Sequence, residues 1–304
     1  MFDMNKQLSN QTTRNMTKVL YKIAVVDGLS LSYREAGDPG NPKLLLLHGF
    51  PASSHQYRNL ISALSNRFHI IAPDYPGFGN SDIPSPDKFD YTFHRLSEII
   101  ERFLKKIGFT HFGLYMQDYG GPVGFRIISL HPEWLEWLII QNANAYEIGF
   151  TRAWDGLNSL WKNRTEETEK PLYVLMQLDT IKQIYLYGHK DPELISPDNW
   201  NADYCFLERP NAQRVQMDLF YDYRTNVELY PKWQKFLREH RPKTLILWGQ
   251  NDIFFTPEGG EAYLKDVPDA EIHMLDSGHF AIEDCIEEIV THIHKFYLDK
   301  IVRP

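Results

Sequence analysis

The sequence predicts an α/β protein with a mostly parallel sheet, helices on both faces and a helical cap inserted after the sixth strand. Short apolar segments alternate with amphipathic helical segments, which is the pattern of βαβ units. Each apolar segment is closed by turn residues, as expected for parallel strands covered on both faces. Between residues 147 and 227 the strand-like segments stop, and tryptophans and tyrosines lie among polar helical segments.

Composition limits the class of protein. The 304 residues are 43% hydrophobic and 24% charged, which suffices for a buried core and excludes wholesale disorder. A net charge of −8 without a basic tract argues against nucleic acid or an anionic membrane as partner. Cys205 and Cys285 are too few for a disulfide scaffold or a cysteine-based zinc site, so a reducing compartment is favoured.

The chain also lacks the usual signals for secretion and membrane insertion. Its longest apolar segments fall far short of the roughly 18 residues that span a bilayer. Residues 1–18 are polar, without the apolar stretch of a secretory signal, and are predicted to be a flexible leader. We therefore expect a cytoplasmic protein, and the sequence leaves its oligomeric state open.

The elements follow in order along the chain. Strands are predicted at 44–47, 68–72, 112–116, 138–141, 244–248 and 271–275. The strand at 44–47 is counted as the third of the sheet, and the two strands before it are not assigned to residues. Helices are predicted at 57–64, 93–107, 120–130 and 281–298. Residues 19–146 and 228–304 would form the core. Residues 147–227 would form a lid over the carboxyl ends of the strands, where open α/β sheets bind ligands.

The segment MQDYGG at 116–121 joins a predicted strand directly to a helix. Such a sharp turn needs small residues beside its central side chain, and Gly120 and Gly121 supply them. Met116 is bulkier than the usual residue on the other side. Asp118 at the centre is a candidate nucleophile, although an aspartate here could also be a helix N-cap worth about 1 kcal/mol.

Three other turn segments carry chemistry-bearing residues. HGFP at 48–51 follows the third strand, WGQND at 248–252 closes a late strand, and SGHF at 277–280 follows the last strand. The resulting chain order is nucleophile, acid and histidine. The acid at Asp252 competes with Asn251 and Glu147. Of the 12 histidines, His279 lies in a loop after the last strand, whereas His273 lies inside that strand and is interpreted as structural.

From about residue 19 onward the chain resembles α/β-hydrolases of the haloalkane dehalogenase and epoxide hydrolase group. QDYGG at 117–121 is similar to the Gln-Asp-Trp-Gly-Gly turn of some haloalkane dehalogenases, and IQNA at 140–143 resembles their sixth strand. HGFP at 48–51 and PDYPGFG at 73–79 are similar to both families. The resemblance implies the α/β-hydrolase fold.

The resemblance also implies roles for individual residues. Asp118 would be the nucleophile, Asp252 the acid and His279 the base, while the backbone N–H groups of Phe50 and Tyr119 would form the oxyanion hole. Both aromatic side chains could equally be core residues, but the implied role uses only their backbone. The expected chemistry needs no metal and no cofactor.

An aspartate at this turn restricts the substrate. A carboxylate attacking a carbonyl carbon would form a high-energy anhydride, whereas attack on a saturated carbon gives an ordinary ester that water can hydrolyse. The expected substrate is therefore a small apolar molecule with an electrophilic sp³ carbon, such as an epoxide or a carbon–halogen bond. A non-catalytic receptor is disfavoured by the intact set of Asp118, Asp252 and His279, and a carboxylesterase by the missing serine.

The choice between epoxide and halide depends on hydrogen-bond donors. Haloalkane dehalogenases usually have a tryptophan directly after the nucleophile, and this chain has Tyr119; Phe50 stands where one branch has asparagine. The hydroxyl of Tyr119, or Trp154 or Trp161 in the lid, could substitute.

Epoxide hydrolases instead use two lid tyrosines. YRTN at 223–226 resembles the segment that carries one of them, Tyr223, and Tyr185 or Tyr187 could be the other. Fluoroacetate dehalogenases place arginines just after the nucleophile, but the first here is Arg126, which disfavours that relative. The sequence thus favours epoxide hydrolysis, with haloalkane dehalogenation as the alternative.

Overall fold

The computed structural model describes residues 18–303; residues 1–17 of the predicted leader lie outside this range. Within it, the strands are β1 (Val19–Val26), β2 (Leu29–Ala36), β3 (Lys43–Leu47), β4 (His69–Pro73), β5 (Phe112–Gln117), β6 (Leu135–Gln141), β7 (Thr244–Gly249) and β8 (Glu271–Leu275). The helices outside the segment between β6 and β7 are α1 (Arg58–Leu64), α2 (Phe93–Ile107), α3 (Gly120–Leu130), α10 (Pro257–Glu261) and α11 (Ile286–Phe296).

The sheet of the described chain has the order β1-β2-β4-β3-β5-β6-β7-β8. β1 pairs with β2, and β2 with β4, in antiparallel fashion, and every later pair is parallel. Helical crossovers between parallel strands cover both faces of the sheet. The predicted α/β class with a mostly parallel sheet is therefore confirmed.

The central strands explain why this sheet forms. Leu45 and Leu47 of β3 belong to the apolar cluster on one face, whereas Leu44 and Leu46 belong to the cluster on the other. Side chains of a strand alternate between faces, so a continuously apolar segment buries both of them. The carboxyl ends of β3, β5, β6, β7 and β8 then lie along one edge of the sheet, where the loops can meet.

The chain between β6 and β7 contains α4 (Asp155–Lys162), α5 (Glu166–Glu169), α6 (Leu178–Leu186), α7 (Asp198–Leu207), α8 (Ala212–Asp222) and α9 (Arg224–His240). The predicted cap boundary at residue 227 falls inside α9, which continues to His240. The division into core and cap stays a prediction. Among residues 18–303, no helix combines the length and the apolar character needed to cross a membrane.

The last predicted helix, 281–298, is wrong at its start. Helix α11 begins at Ile286, and a π-helical turn, Tyr297–Val302, follows it. The Ser277 hydroxyl donates to the Asp284 carboxylate at 2.6 Å, which holds residues 276–285 as a loop between β8 and α11. This loop carries His279.

Candidate active site

The turn between β5 and α3 presents Asp118 at its centre. Asp118 has φ +48°, in the left-handed region that side chains rarely adopt, which is the strain expected of this sharp turn. A Cβ at Gly120 would overlap the carbonyl oxygen of Leu47, and one at Gly121 would lie 3.0 Å from the Cβ of Ala143. The two glycines therefore let the turn lie close to both neighbouring strands.

The bulk of Met116 is accommodated by a third glycine. Met116 is fully buried, and its Sδ would lie 3.2 Å from a Cβ at Gly124, one turn into α3. The departure from a small residue at position 116 thus changes the packing under the turn and leaves the turn intact.

The Asp118 carboxylate is held by backbone donors. The Phe50 N–H donates to its Oδ1 at 2.6 Å, and the Tyr119 N–H also faces the carboxylate. Gly49 has no room for a side chain, because a Cβ there would overlap that of Asp118. Donors that now bind a carboxylate oxygen could bind the oxyanion formed from the same group, so the structure brings the predicted oxyanion-hole residues to Asp118.

Asp118 is almost completely buried, and burial raises the pKa of its carboxyl above the ordinary value. His279 and the two N–H groups lower the pKa, but they offset only part of this effect. Partial desolvation leaves the carboxylate less well solvated than in water, which suits a nucleophile.

His279 contacts Asp252 through its Nδ1, which lies 2.8 Å from Oδ2 of the carboxylate. Both side chains are buried. Of the competing acids, Glu147 is exposed, and Asn251 instead donates to the Gly188 carbonyl at 2.9 Å. The structure therefore brings Asp252, rather than either competitor, to the imidazole.

Asn142, at the end of β6, fixes the acid and was not recognised as a site residue from sequence. Its Nδ2 donates to Asp252 Oδ2 at 2.8 Å, and its Oδ1 accepts from the Gly249 N–H at 2.8 Å. The Phe254 N–H donates to Asp252 Oδ1 at 2.7 Å. With both oxygens occupied, the carboxylate has one orientation, and it directs Nδ1 of the imidazole.

Gln117, directly before Asp118, is a second residue that the sequence reasoning missed. Its amide Nε2 lies 2.9 Å from His279 Nε2 and 3.4 Å from the His279 carbonyl oxygen. When Nδ1–H faces Asp252, Nε2 accepts from this amide, so the arrangement favours the neutral tautomer that acts as a base. The signal for Gln117 was its place in the QDYGG segment.

The pKa of His279 results from opposing effects. Burial lowers it, but the Asp252 carboxylate and, more weakly, Asp118 raise it, and the net pKa is higher than the ordinary value. Buried carboxylates on both sides thus stabilise the imidazolium that forms whenever His279 accepts a proton.

A cavity of about 30 Å³ lies over these groups. Eight of its ten lining residues are apolar or aromatic; the full set is Phe50, Asp118, Tyr119, Trp154, Leu157, Leu175, Phe220, Tyr223, Phe254 and His279. The volume exceeds the 10–15 Å³ that one water needs on this kind of measure, but it is small. A cavity of this size and lining admits only a small, largely apolar group.

Two of the three substrate-binding residues predicted from sequence line the cavity, and the third does not. Trp154 and Tyr223 line the cavity, but Tyr187 does not. Tyr187 follows the last residue of α6, has an extended backbone and is 53% exposed. Its assignment is corrected accordingly. Tyr185 is buried elsewhere and donates to Asp203 at 2.6 Å.

The hydrogen-bond donors of the lid are hydroxyls rather than indoles. Trp154 Nε1 donates to the Phe254 carbonyl at 3.0 Å, and Trp161 Nε1 to the Phe220 carbonyl at 2.8 Å. The Tyr223 hydroxyl lies 3.5 Å from that of Tyr230, a residue that sequence reasoning missed. Both tyrosine hydroxyls are buried, and burial raises their pKa.

The chain is similar in sequence to proteins of a known family. A family model described as "alpha/beta hydrolase fold" matches residues 42–284. An uncharacterized hydrolase of Saccharomyces cerevisiae is 39% identical over 292 residues, covering 94% of this chain and 99% of that protein.

More distant relatives have named activities. A cis-3-alkyl-4-alkyloxetan-2-one decarboxylase of Shewanella oneidensis is 26% identical, covering 89% of this chain and 86% of that protein. Epoxide hydrolase 3 of Xenopus tropicalis is 27% identical, and the match covers 88% of this chain and 75% of that protein. The solved structure of a haloalkane dehalogenase from Bradyrhizobium elkani has a TM-score of 0.73 at 20% identity, covering 93% of this chain and 100% of that one.

Proposed function

Because the chain belongs to the α/β hydrolase family, we propose that it hydrolyses small apolar epoxides through a covalent alkyl ester on Asp118. The observation that carries the proposal is a carboxylate, in place of serine, at the turn between β5 and α3. That carboxylate faces a cavity that also contains His279 and the Tyr223 side chain.

In the first step an oxygen of Asp118 attacks one carbon of the epoxide ring. The ring C–O bond breaks, its electron pair stays on the oxygen, and the Tyr223 hydroxyl donates a proton to the resulting alkoxide. Tyr230, 3.5 Å from Tyr223, is placed to share the tyrosinate charge by hydrogen bonding. General acid catalysis of this kind contributes about 10²–10⁴-fold.

In the second step the ester is hydrolysed. Water replaces the Gln117 amide at Nε2 of His279 and gives a proton to that nitrogen, and the resulting hydroxide attacks the carbonyl carbon of the Asp118 ester. The Phe50 and Tyr119 N–H groups hold the oxyanion, each donor being worth about 3–4 kcal/mol. Collapse of the intermediate breaks the ester C–O bond and expels the alkoxide of the diol, which takes the proton from His279. The carboxylic acid left on Asp118 then gives its proton, through solvent, to the Tyr223 tyrosinate, so that Asp118 is again a carboxylate and Tyr223 again a phenol.

Donor chemistry favours epoxides over haloalkanes. A leaving halide is a buried anion and needs donors in a dry pocket. The N–H groups of Trp154 and Trp161 are already bonded to main-chain carbonyls. An epoxide needs one hydroxyl that donates a proton to the alkoxide, and Tyr223 supplies it. Haloalkane dehalogenation remains the second candidate, supported by the QDYGG turn and the hydroxyl of Tyr119 at the cavity.

We further propose a cytoplasmic location. Cys205 is a free thiol at the protein surface, and Cys285 is free and half-buried. Free thiols of this kind are compatible with a reducing compartment. Fractionation of the host cells, with detection of the untagged protein, tests the location.

The experiment that tests the proposed function traps the ester. The His279→Gln variant, checked for folding by circular dichroism, is incubated separately with epoxides, haloalkanes and cis-oxetan-2-ones, and its intact mass is recorded. We expect an adduct from epoxides, mapped to Asp118 by peptide mass, and none in the Asp118→Asn, His279→Gln double variant.

Other outcomes are equally decisive. Adducts from haloalkanes alone would establish haloalkane dehalogenation, the second candidate. Adducts from oxetanones alone would show that the substrates are strained lactones instead of epoxides. No adduct from any class, together with tight binding of an epoxide to the wild-type protein, would overturn the enzyme assignment in favour of a receptor.

A further inference from the structure

A second cluster of metal-ligating side chains lies away from the cavity, between β8 and α11. Glu271 and His273 are two residues apart on β8 and so point to the same face of the strand. His292 lies on α11. Each of the three offers one ligand atom, and these atoms all lie within 4.8 Å of one another.

The contacts within this cluster are close. His273 Nε2 lies 2.7 Å from Glu271 Oε1, and the imidazole rings of His273 and His292 stack with their centroids 3.5 Å apart. Glu288, one turn earlier on α11, places Oε1 3.5 Å from His292 Nε2. The side chains of His273, Glu271 and His292 are 28%, 20% and 18% exposed, so an ion can reach them from solvent.

Two imidazole nitrogens and a carboxylate oxygen therefore face one another across β8 and α11. The neutral imidazole is the form that binds metals.

We propose that Glu271, His273 and His292 bind one Zn²⁺ ion, with Glu288 or water in the fourth position. Two imidazole nitrogens and a carboxylate oxygen suit Zn²⁺, which is tetrahedral and accepts nitrogen and oxygen ligands. Mg²⁺ and Ca²⁺ prefer sets made of oxygen alone, so this site discriminates against them. The ligand atoms lie within 4.8 Å of one another in the absence of an ion, and zinc binding would draw them to about 2.0–2.2 Å from it.

The position of the site indicates a structural role. β8 directly precedes the loop 276–285 that carries His279, and α11 directly follows it. β8 is also the edge strand of the described sheet and pairs there with β7. An ion bound across β8 and α11 joins the two elements at either end of this loop and stabilises the folded state by mass action. None of the ligands lines the cavity, so the ion takes no part in the chemistry there.

The test is zinc binding to the untagged, full-length protein after chelation and desalting. Calorimetric titration with ZnCl₂ is expected to give one equivalent per chain, and zinc is expected to raise the midpoint of thermal unfolding. The His273→Asn, His292→Asn double variant is expected to bind zinc at least about tenfold more weakly and to lose the thermal shift. MgCl₂ is expected to have no effect on either protein.

A matched control comes from α2. His94 forms an i,i+4 pair with Glu98 at 3.7 Å, like that of Glu288 and His292, but without ligands from a second element. His94→Asn is expected to bind zinc as the wild type does. Should the double variant fail to fold, protection of His273 and His292 from diethyl pyrocarbonate by zinc in the wild type, read by peptide mass, decides the matter. Wild-type protein that binds no zinc, equal affinity in wild type and double variant, or modification unaffected by zinc would overturn the proposal.

Discussion

Tyr223 is the residue on which the choice of substrate rests. Its hydroxyl lies 3.5 Å from that of Tyr230, and its ring contacts Trp154 and Tyr119, with centroids 4.7 and 6.1 Å away. Burial raises the pKa of Tyr223, and the charge of Asp118 raises it further. The hydroxyl is therefore protonated at neutral pH and available as an acid.

We predict that Tyr223→Phe slows ester formation from an epoxide by about 10²-fold or more, because the alkoxide then lacks its proton donor. Tyr230→Phe is expected to have a smaller effect, since Tyr230 acts through Tyr223. Stopped-flow measurement of the alkylation step checks both, with the exposed Tyr187→Phe as control. Normal alkylation by Tyr223→Phe would remove this residue from the mechanism.

His279 gives a prediction in pH. Its pKa is raised because the Asp252 and Asp118 carboxylates favour the charged imidazole more than burial disfavours it. As the pH is lowered, a base with a raised pKa becomes protonated at a higher pH than an ordinary histidine does. It therefore stops acting as a base at that higher pH. An NMR titration of His279 in the free protein should give a pKa above 6.5, and Asp252→Asn and Asp118→Asn should each lower it.

The protonation of His279 also predicts how the rate of ester hydrolysis depends on pH. Ester hydrolysis should fall on the acid side as His279 becomes protonated, and in Asp252→Asn this fall should move to lower pH while hydrolysis becomes slower overall. A His279 pKa that is unchanged in Asp252→Asn would contradict the role of that carboxylate.

The site residues predicted from sequence were those defined by turns. Asp118, Asp252 and His279 each follow a strand, and strand ends meet at one edge of a parallel sheet, so their proximity could be inferred. Gln117 ends β5 and Asn142 directly follows β6, but an amide at a strand end does not by itself indicate a catalytic role. Only coordinates reveal that they bond to His279 and Asp252. Tyr187 was misassigned because nothing in its local sequence tells which cap tyrosines face inward.

At the scale of elements, the turn between β5 and α3 depends on a close approach to β3. Gly120→Ala would force a methyl group into the carbonyl oxygen of Leu47, a backbone atom that cannot move independently. We predict a loss of more than about 2 kcal/mol in the free energy of unfolding, measured by urea denaturation. Gly40→Ala, whose Cβ would meet only an Asp38 side-chain oxygen at 3.2 Å, is the control. Equal stability of the two variants would show that the turn tolerates a side chain at position 120.

Elements with strong, uniform patterns were predictable. Helices 93–107 and 120–130 agree with α2 and α3 at both ends, since one buried face and a C-terminal Gly108 mark α2, and Gly120 and Gly121 mark the start of α3. The hairpin of β1 and β2 was counted but not located. The outer strand, β1, exposes Tyr21, Ile23 and Val25 to solvent. Apolar residues in this strand are therefore not a sign that it is buried.

At the scale of the whole molecule, the segment between β6 and β7 is joined to the loop that carries His279. His189, after α6, places its Nδ1 2.9 Å from Asp284 Oδ1 and 3.1 Å from the Ser277 hydroxyl. The side chains of His189 and Asp284 are both buried, 0% and 2% exposed. These contacts therefore tie the segment after α6 to the loop that carries His279.

We predict that His189→Ala lowers the free energy of unfolding by about 1–3 kcal/mol, because it leaves the buried Asp284 carboxylate with fewer partners. Hydrogen exchange should also become faster in residues 276–285. The exposed His94→Ala serves as control in both measurements. Unchanged exchange in that loop would mean that the contact does not order it.

The central claim is that an oxygen atom of Asp118 enters the product. A single turnover of an epoxide by excess wild-type enzyme in H₂¹⁸O tests it directly, with mass spectrometry of both the diol and the peptide that contains Asp118. We expect unlabelled diol and ¹⁸O in the Asp118 carboxylate. Labelled diol with an unlabelled peptide would mean that water attacks the epoxide itself, and would contradict the account.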